Sequence, residues 1–279
     1  MIHNSFKKTL SSLFIYVIIL IILFVFNFPI ISAVLTSLKT NADISSSPPK
    51  WMFKPILTHY QNVLYAYGYN FKQFFINSII ISLFTSLLVI IIALPAAYSI
   101  VRFNPLGGNP LVMVLSLRLV PILVFVIPIF ILFKYLSLLD TKTGLILMNT
   151  VINAPLSLLL LVGFVQDIPE SIEEAAMIDN ANTLAILWYI ILPLVLPGIA
   201  AAACLVFIFT WNEYFMSLIL SFQNAIPVTV GSSLFITAWE VKWGEIAAAI
   251  TLSIIPVLFF VFFLQKYLVR AFTGGAIKE

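Results

Sequence analysis

The chain has 279 residues, 62% of them hydrophobic and 9% charged, with a mean hydropathy of +1.13. No soluble domain of this length needs so much apolar surface, so a water-soluble enzyme or binding module is excluded and the chain is an integral membrane protein. A formal charge of +3, scattered along the chain, excludes a nucleic-acid-binding surface, and a single cysteine, Cys204, excludes disulfide frameworks and cysteine-based metal sites.

Lys7 and Lys8 precede an uncharged run from Thr9 to Leu38. The run begins like a signal peptide but is about twice as long as a typical signal core, so it is predicted to be a retained first span over about residues 13–35, with Pro29 tolerated as a kink. From Lys39 to Lys72 the chain turns polar and aromatic, with Ser45-Ser46-Ser47-Pro48-Pro49 followed by Trp51, Tyr60, Tyr65, Tyr67 and Tyr69. This is an extramembrane loop whose rings suit the membrane–water interface; sugar binding by their faces is the other reading. His3 and His59 are expected to be incidental surface residues. The second span, about 74–100, is ended by Arg102-Phe103-Asn104-Pro105-Leu106-Gly107-Gly108. A third, about 111–133, contains Arg118, Pro121 and Pro128. A charge within a span costs at least about 2.5 kcal/mol, so Arg118 is expected either to snorkel toward headgroups or to face protein. Asp140-Thr141-Lys142-Thr143-Gly144 forms a short outer turn before the fourth span, about 145–165.

Residues 167–192 then form a polar, acidic island that must lie outside the bilayer. Pro169, and the capping-box spacing of Asp167 with Glu170, predict the start of a short helix. Ile172, Ala175 and Ala176 would share one face, with Glu170, Glu173 and Glu174 elsewhere. Asp179-Asn180 should end the helix, because Asn readily adopts the left-handed backbone that closes one. A second helix, Leu184 to Ile191, follows before Pro193, and the pair makes a compact knob. A fifth span covers about 194–218, with Trp211-Asn212-Glu213 near its far end. Residues 221–245 read as an outer loop with partial structure, and the last span is about 246–264. Six spans place both termini on one side; the lysines and arginines divide almost evenly between the two sides and do not decide which.

The pattern Glu174-Ala175-Ala176, Asp179-Asn180-Ala181, Ile190-Ile191-Leu192-Pro193-Leu194 and Pro197-Gly198 resembles the EAA loop of ABC-importer permease subunits. It departs from the family at Asn180, where Gly is usual. Further matches are Asn77-Ser78, Ala97-Tyr98, Arg102-Phe103, Trp211-Asn212-Glu213, Pro227-Val228-Thr229-Val230-Gly231, Trp243-Gly244, Gln265-Lys266-Tyr267-Leu268-Val269 and Gly274-Gly275-Ala276-Ile277-Lys278. Together they resemble the MalG-type half of a carbohydrate ABC importer over nearly the whole chain from Asn77 onward.

That resemblance implies an all-α integral membrane protein, a single permease domain over residues 1–279 with six transmembrane helices and a cytoplasmic coupling-helix loop between spans 4 and 5. It implies a cell-membrane location with both termini cytoplasmic. Implied partners are a second permease subunit, two ATPase subunits and an extracellular substrate-binding protein, with a sugar as cargo, or alternatively a non-sugar solute, and ATP and Mg held on the ATPases. The chain has no Gly-rich phosphate loop, so it is not expected to bind ATP by itself, and the resemblance implies no catalytic, cofactor or metal residues in it. Glu173, Glu174, Ala175, Ala176, Asp179 and Asn180 are the expected ATPase-coupling residues, and Gly274, Gly275 and Lys278 the ATPase-facing tail. Trp211, Asn212 and Glu213 are expected either in the translocation path or its outer gate, or as an interfacial anchor. A secondary transporter would want more ionisable residues in its spans than Arg118 and Glu213, and internal repeats; a membrane-embedded enzyme would want a catalytic constellation that the spans lack.

Overall fold

A computed structural model describes residues 2–65, 69–104, 107 and 109–273, with side chains described between 14 and 266 of these. The described residues are almost entirely helical. Helix α1 (Ile2–Ser37) is followed by two short helices, α2 (Asn41–Ile44) and α3 (Thr58–Tyr65), and by the long α4 (Phe71–Phe103). Then come α5 (Pro110–Ser116), two 3-10 turns (Leu117–Leu119 and Ile122–Phe125), α6 (Val126–Tyr135) and α7 (Lys142–Gln166). Helix α8 (Glu170–Ile178) precedes α9 (Thr183–Ile186), which runs through a π turn (Leu187–Ile191) into α10 (Leu192–Leu194). Helices α11 (Leu196–Trp211), α12 (Phe215–Leu220), α13 (Val228–Ser233) and α14 (Trp243–Thr273) complete the order. Among the described residues, four helices are long and apolar enough to cross a membrane, and six crossings result if each of two bent pairs counts as one.

One bend divides the expected third span, and the other separates the second helix of the knob from the fifth span near where the sequence parts 184–191 from 194–218. The third is broken by 83° between Pro110–Leu119 and Ile122–Tyr135. Val120 and Pro121 are extended there (ψ 122° and 128°), because Pro121 has no N–H to continue the ladder and pushes its predecessor out of the helical region. The other bend, of 77°, lies between Thr183–Leu194 and Leu196–Trp211, around Val195 between Pro193 and Pro197, and α11 ends at Trp211 rather than continuing to Leu218.

Residues 1–70 with 232–253 form one compact unit. Every described side chain from Phe14 to Ile30 on α1 is exposed, as a lipid-facing helix requires. The loop after it is structured: Thr40 caps α2 by accepting from the Asp43 N–H (3.1 Å), Lys50 pairs with Asp43 (2.8 Å), and Tyr60 and Ser37 share a hydroxyl hydrogen bond (2.7 Å). Trp51 and Tyr65 are exposed, whereas the Tyr69 ring packs on Phe235 at 4.2 Å; Tyr67 lies outside the described residues. His59 also overturns its expectation. It is 3% exposed, with Nε2 2.8 Å from the Lys39 carbonyl and Nδ1 3.2 Å from Glu245. Its ring lies so close to Gly244 that a Cβ there would overlap it.

Residues 71–231 with 254–279 form the second unit. Helices α4 and α7 run parallel: Ile81 packs with Leu145 and Met148 at one end, and Val89 to Tyr98 with Leu158 to Val165 at the other. Small polar residues on both helices, Ser78, Ser82 and Thr85 against Asn149, Asn153 and Ser157, are buried in this unit, as close-packed membrane helices favour. At the first end Asp140 (φ +55°) clamps a loop, its carboxylate accepting from the backbone N–H groups of Phe222, Gln223, Asn224 and Ala225 at 2.9–3.2 Å. Partial burial raises its pKa, but the Gln223, Phe222, Asn224 and Ala225 amides outweigh that and hold it down at about 2. Asn77 donates to the carbonyls of Asn224 (3.0 Å) and Ile226 (2.9 Å), tying the same loop to α4.

Candidate functional site: the knob between the fourth and fifth crossings

Helix α8 stands at the other end of the α4–α7 pair. No capping box forms: Asp167 closes α7, and Pro169 occupies the N-cap of α8 without a side-chain hydrogen bond. Only three residues, Asp167 to Pro169, separate the helices, which leaves Asp167 committed to the first of them. The far end of α8 is as expected. Asn180 has φ +61°, its N–H donates to Met177 (3.0 Å) and that of Ala181 to Ala176 (3.0 Å), the paired bonds of a Schellman closure. Asn182 then caps α9 by accepting from the Ala185 N–H at 2.8 Å.

The orientation of α8 differs from its sequence pattern. Glu173, expected on a polar face, is 3% exposed, while Ile172 is 40% and Ile178 82% exposed. Its partners explain the reversal. Arg102 near the end of α4 donates from Nε to Glu173 Oε1 (2.6 Å), and Tyr98 donates from its hydroxyl to Oε2 (2.8 Å). Arg102 also donates to the Ile168 carbonyl (2.7 Å) and stands 3.8 Å from Glu170. A buried guanidinium needs a counter-charge, so the carboxylate turns inward and the isoleucines outward. Ala176 packs against the core beside Ala181, whereas Glu174, Ala175 and Asp179 are exposed. Beyond the turn, Ile186, Leu187 and Ile191 are fully or almost fully buried against α4 and α7. The π turn carrying Leu187 and Ile191 fits Pro193, which cannot donate back into the ladder. Gly198 leaves room for the Phe164 ring of α7, which a Cβ would overlap.

The sequence placed Tyr98 and Arg102 among family-like positions without joining them to the knob; an arginine closing a span opposite an acidic island was the available signal. The other candidate residues separate. Trp211 is 3% exposed, stacked on Phe207 (5.7 Å) and edge-on to Phe75 (5.7 Å), so it is buried rather than a headgroup anchor. Glu213 spends both carboxylate oxygens on the start of α12, accepting from the N–H groups of Met216 (2.7 Å) and Ser217 (2.9 Å) and from the Ser217 hydroxyl (2.7 Å). Asn212 is the exposed member, donating to the Ile208 carbonyl of its own helix at 2.8 Å. Gly274, Gly275 and Lys278 lie outside the described residues. No cluster of metal-ligating side chains occurs among the described residues.

Residues 89–274 match the family described as the binding-protein-dependent transport system inner membrane component. The trehalose/maltose transport system permease protein MalG of Thermococcus litoralis is 33% identical over 254 residues, covering 90% of this chain and 91% of that one. The sulfoquinovosyl glycerol transport system permease protein SmoH of Agrobacterium fabrum is 31% identical over 255 residues, with 90% and 88% covered. Among solved structures, a chain of a bacterial ABC transporter involved in the import of the acidic polysaccharide alginate has the same fold, with a TM-score of 0.74, 24% identity, and 94% and 97% of the two chains covered.

Proposed function

The chain belongs to the family of binding-protein-dependent transport system inner membrane components, and from that premise we propose that it is one permease subunit of an ABC importer carrying a sugar across the cell membrane. Relatives named for trehalose/maltose and for sulfoquinovosyl glycerol support the cargo class. The chain works with a second permease subunit, an extracellular binding protein and two ATPase subunits that hold ATP and Mg. The end bearing α8 faces the cytoplasm, as do both termini, and 1–279 acts as one permease domain.

The observation that carries this reading is the knob: a largely exposed helix that starts at Pro169, is closed at Asn180, and is tied by the buried Glu173–Arg102 pair to the end of a crossing. Ile172, Ala175 and Ile178, with Glu174 and Asp179 beside them, offer a mixed apolar and acidic surface to an ATPase subunit. Motion imposed on α8 passes through Glu173 to α4, and through Ile186, Leu187 and Ile191 to the core between α4 and α7. The crossings then rock between inward-open and outward-open arrangements as the ATPases close and reopen. Asn212 and the tail from Gly274 to Lys278 remain the proposed contributors to the path and to the ATPase contact.

The test is reconstitution in liposomes of the chain with its partner permease, ATPases and binding protein. ATP hydrolysis stimulated by the binding protein, and absent when this chain is omitted, is expected. Hydrolysis indifferent to its omission would overturn the reading.

A further inference from the structure

Arg118 lies at the break in the third crossing. Its depth follows from packing: Leu111 and Val114, before it, pack against the core cluster at the α8 end, and Ile122 and Val126, after it, against the cluster at the Asp140 end. Since α4 and α7 are parallel, the segment between them must return across the membrane, and Arg118 sits between the two levels. It is exposed, on the 3-10 turn Leu117–Leu119, with no ion pair or hydrogen bond to any described residue.

Two separate costs coincide here. A cation at mid-membrane costs at least about 2.5 kcal/mol. Non-helical backbone at that depth is tolerated only where it is buried in protein or lines a water-filled cavity, and the extended Val120 and Pro121 interrupt the helical ladder there. Lipid relieves neither. A carboxylate from the partner permease would answer the cation but has no hydrogen to give the backbone carbonyls at the break. Water and solute hydroxyls can both give and accept.

We propose that Arg118 faces the solute path of the assembled importer, presenting its guanidinium to the oxygen-rich groups of the passing solute and favouring anionic over cationic ones. The fork of donors suits paired hydroxyl or carboxylate oxygens. Interrupted crossings near mid-membrane are also where transporters commonly place their solute. This rests on the permease reading above.

The experiment uses the intact importer in liposomes, with the buried Cys204 replaced (Cys204→Ser), and single thiols introduced by Leu117→Cys and Leu119→Cys, both exposed positions. Each is treated with a sulfonate-bearing and a trimethylammonium-bearing methanethiosulfonate, nucleotide-free and vanadate-trapped. Modification at one or both positions, changing severalfold between states and severalfold faster with the anionic reagent, is expected; adding Arg118→Gln should abolish the charge preference while labelling persists. No modification at either position in either state, or equal rates for the two reagents with Arg118 present, would overturn the proposal. Binding-protein-stimulated hydrolysis by the Cys204→Ser parent is scored separately, so a working parent with inert thiols defeats this proposal alone.

Discussion

Arg102 Nε stands 2.6 Å from Glu173 Oε1, joining the end of one membrane crossing to the middle of an extramembrane helix 71 residues later. Both side chains are almost wholly out of solvent. Breaking such a pair from one side strands a buried charge, at a cost of about 3–5 kcal/mol, whereas replacing both partners with apolar groups is often neutral.

Glu173→Ala and Arg102→Met are therefore expected to lower the thermal stability of the purified importer singly, and the pair Glu173→Leu with Arg102→Met to restore most of it. The restored variant should still hydrolyse ATP less dependently on the binding protein, because apolar contacts replace a directional link. Equal and additive losses in the thermal scans would show that the two residues do not interact.

At Asn180, with φ +61°, Gly should substitute freely and Val should cost about 1–2 kcal/mol. Stability and coupled hydrolysis of Asn180→Gly and Asn180→Val give the comparison. Indistinguishable behaviour would mean that the left-handed turn is not required.

Gly198→Ala should destabilise by about 1–3 kcal/mol through overlap with Phe164, and Phe164→Leu should recover part of the loss. The check is the melting temperature of the three variants in one detergent.

The Asp140 clamp gives a pH dependence of definite sign. Its carboxyl is held at about 2 against an ordinary 3.8, so the stabilisation is complete above 3.8 and is lost as pH falls from there through about 2. At pH 6 Asp140→Asn should remove it, seen as faster hydrogen exchange at Phe222 to Ala225 with unchanged exchange in α8. Unaltered exchange in that loop would count against the clamp.

Much of the knob was legible because its signals are local. Pro169 and Asn180 bracket α8 within its own sequence, and their conformational limits hold in any surroundings. The direction in which α8 faces was not legible, since burial of Glu173 depends on Arg102 and Tyr98, far away in the chain. The His59–Glu245 pair was hidden for the same reason. Pro121 did mark the break in the third crossing, but a mid-membrane proline is compatible with a simple kink as well as with an 83° bend, and only packing on both sides of Arg118 separates them. At the fifth crossing, Glu213 looked like an in-span charge because nothing local revealed that α11 stops at Trp211 and that the carboxylate caps the next helix.

Contact between the exposed face of α8 and an ATPase subunit can be read by site-directed photo-crosslinking in the assembled importer. A benzophenone side chain at position 175 or 178 should crosslink to the ATPase subunit, with a yield that changes when ATP is trapped, while the same group at Gln223, exposed at the opposite end of the bundle, should not. ATPase crosslinks absent from both α8 positions, or equally strong from Gln223, would contradict it.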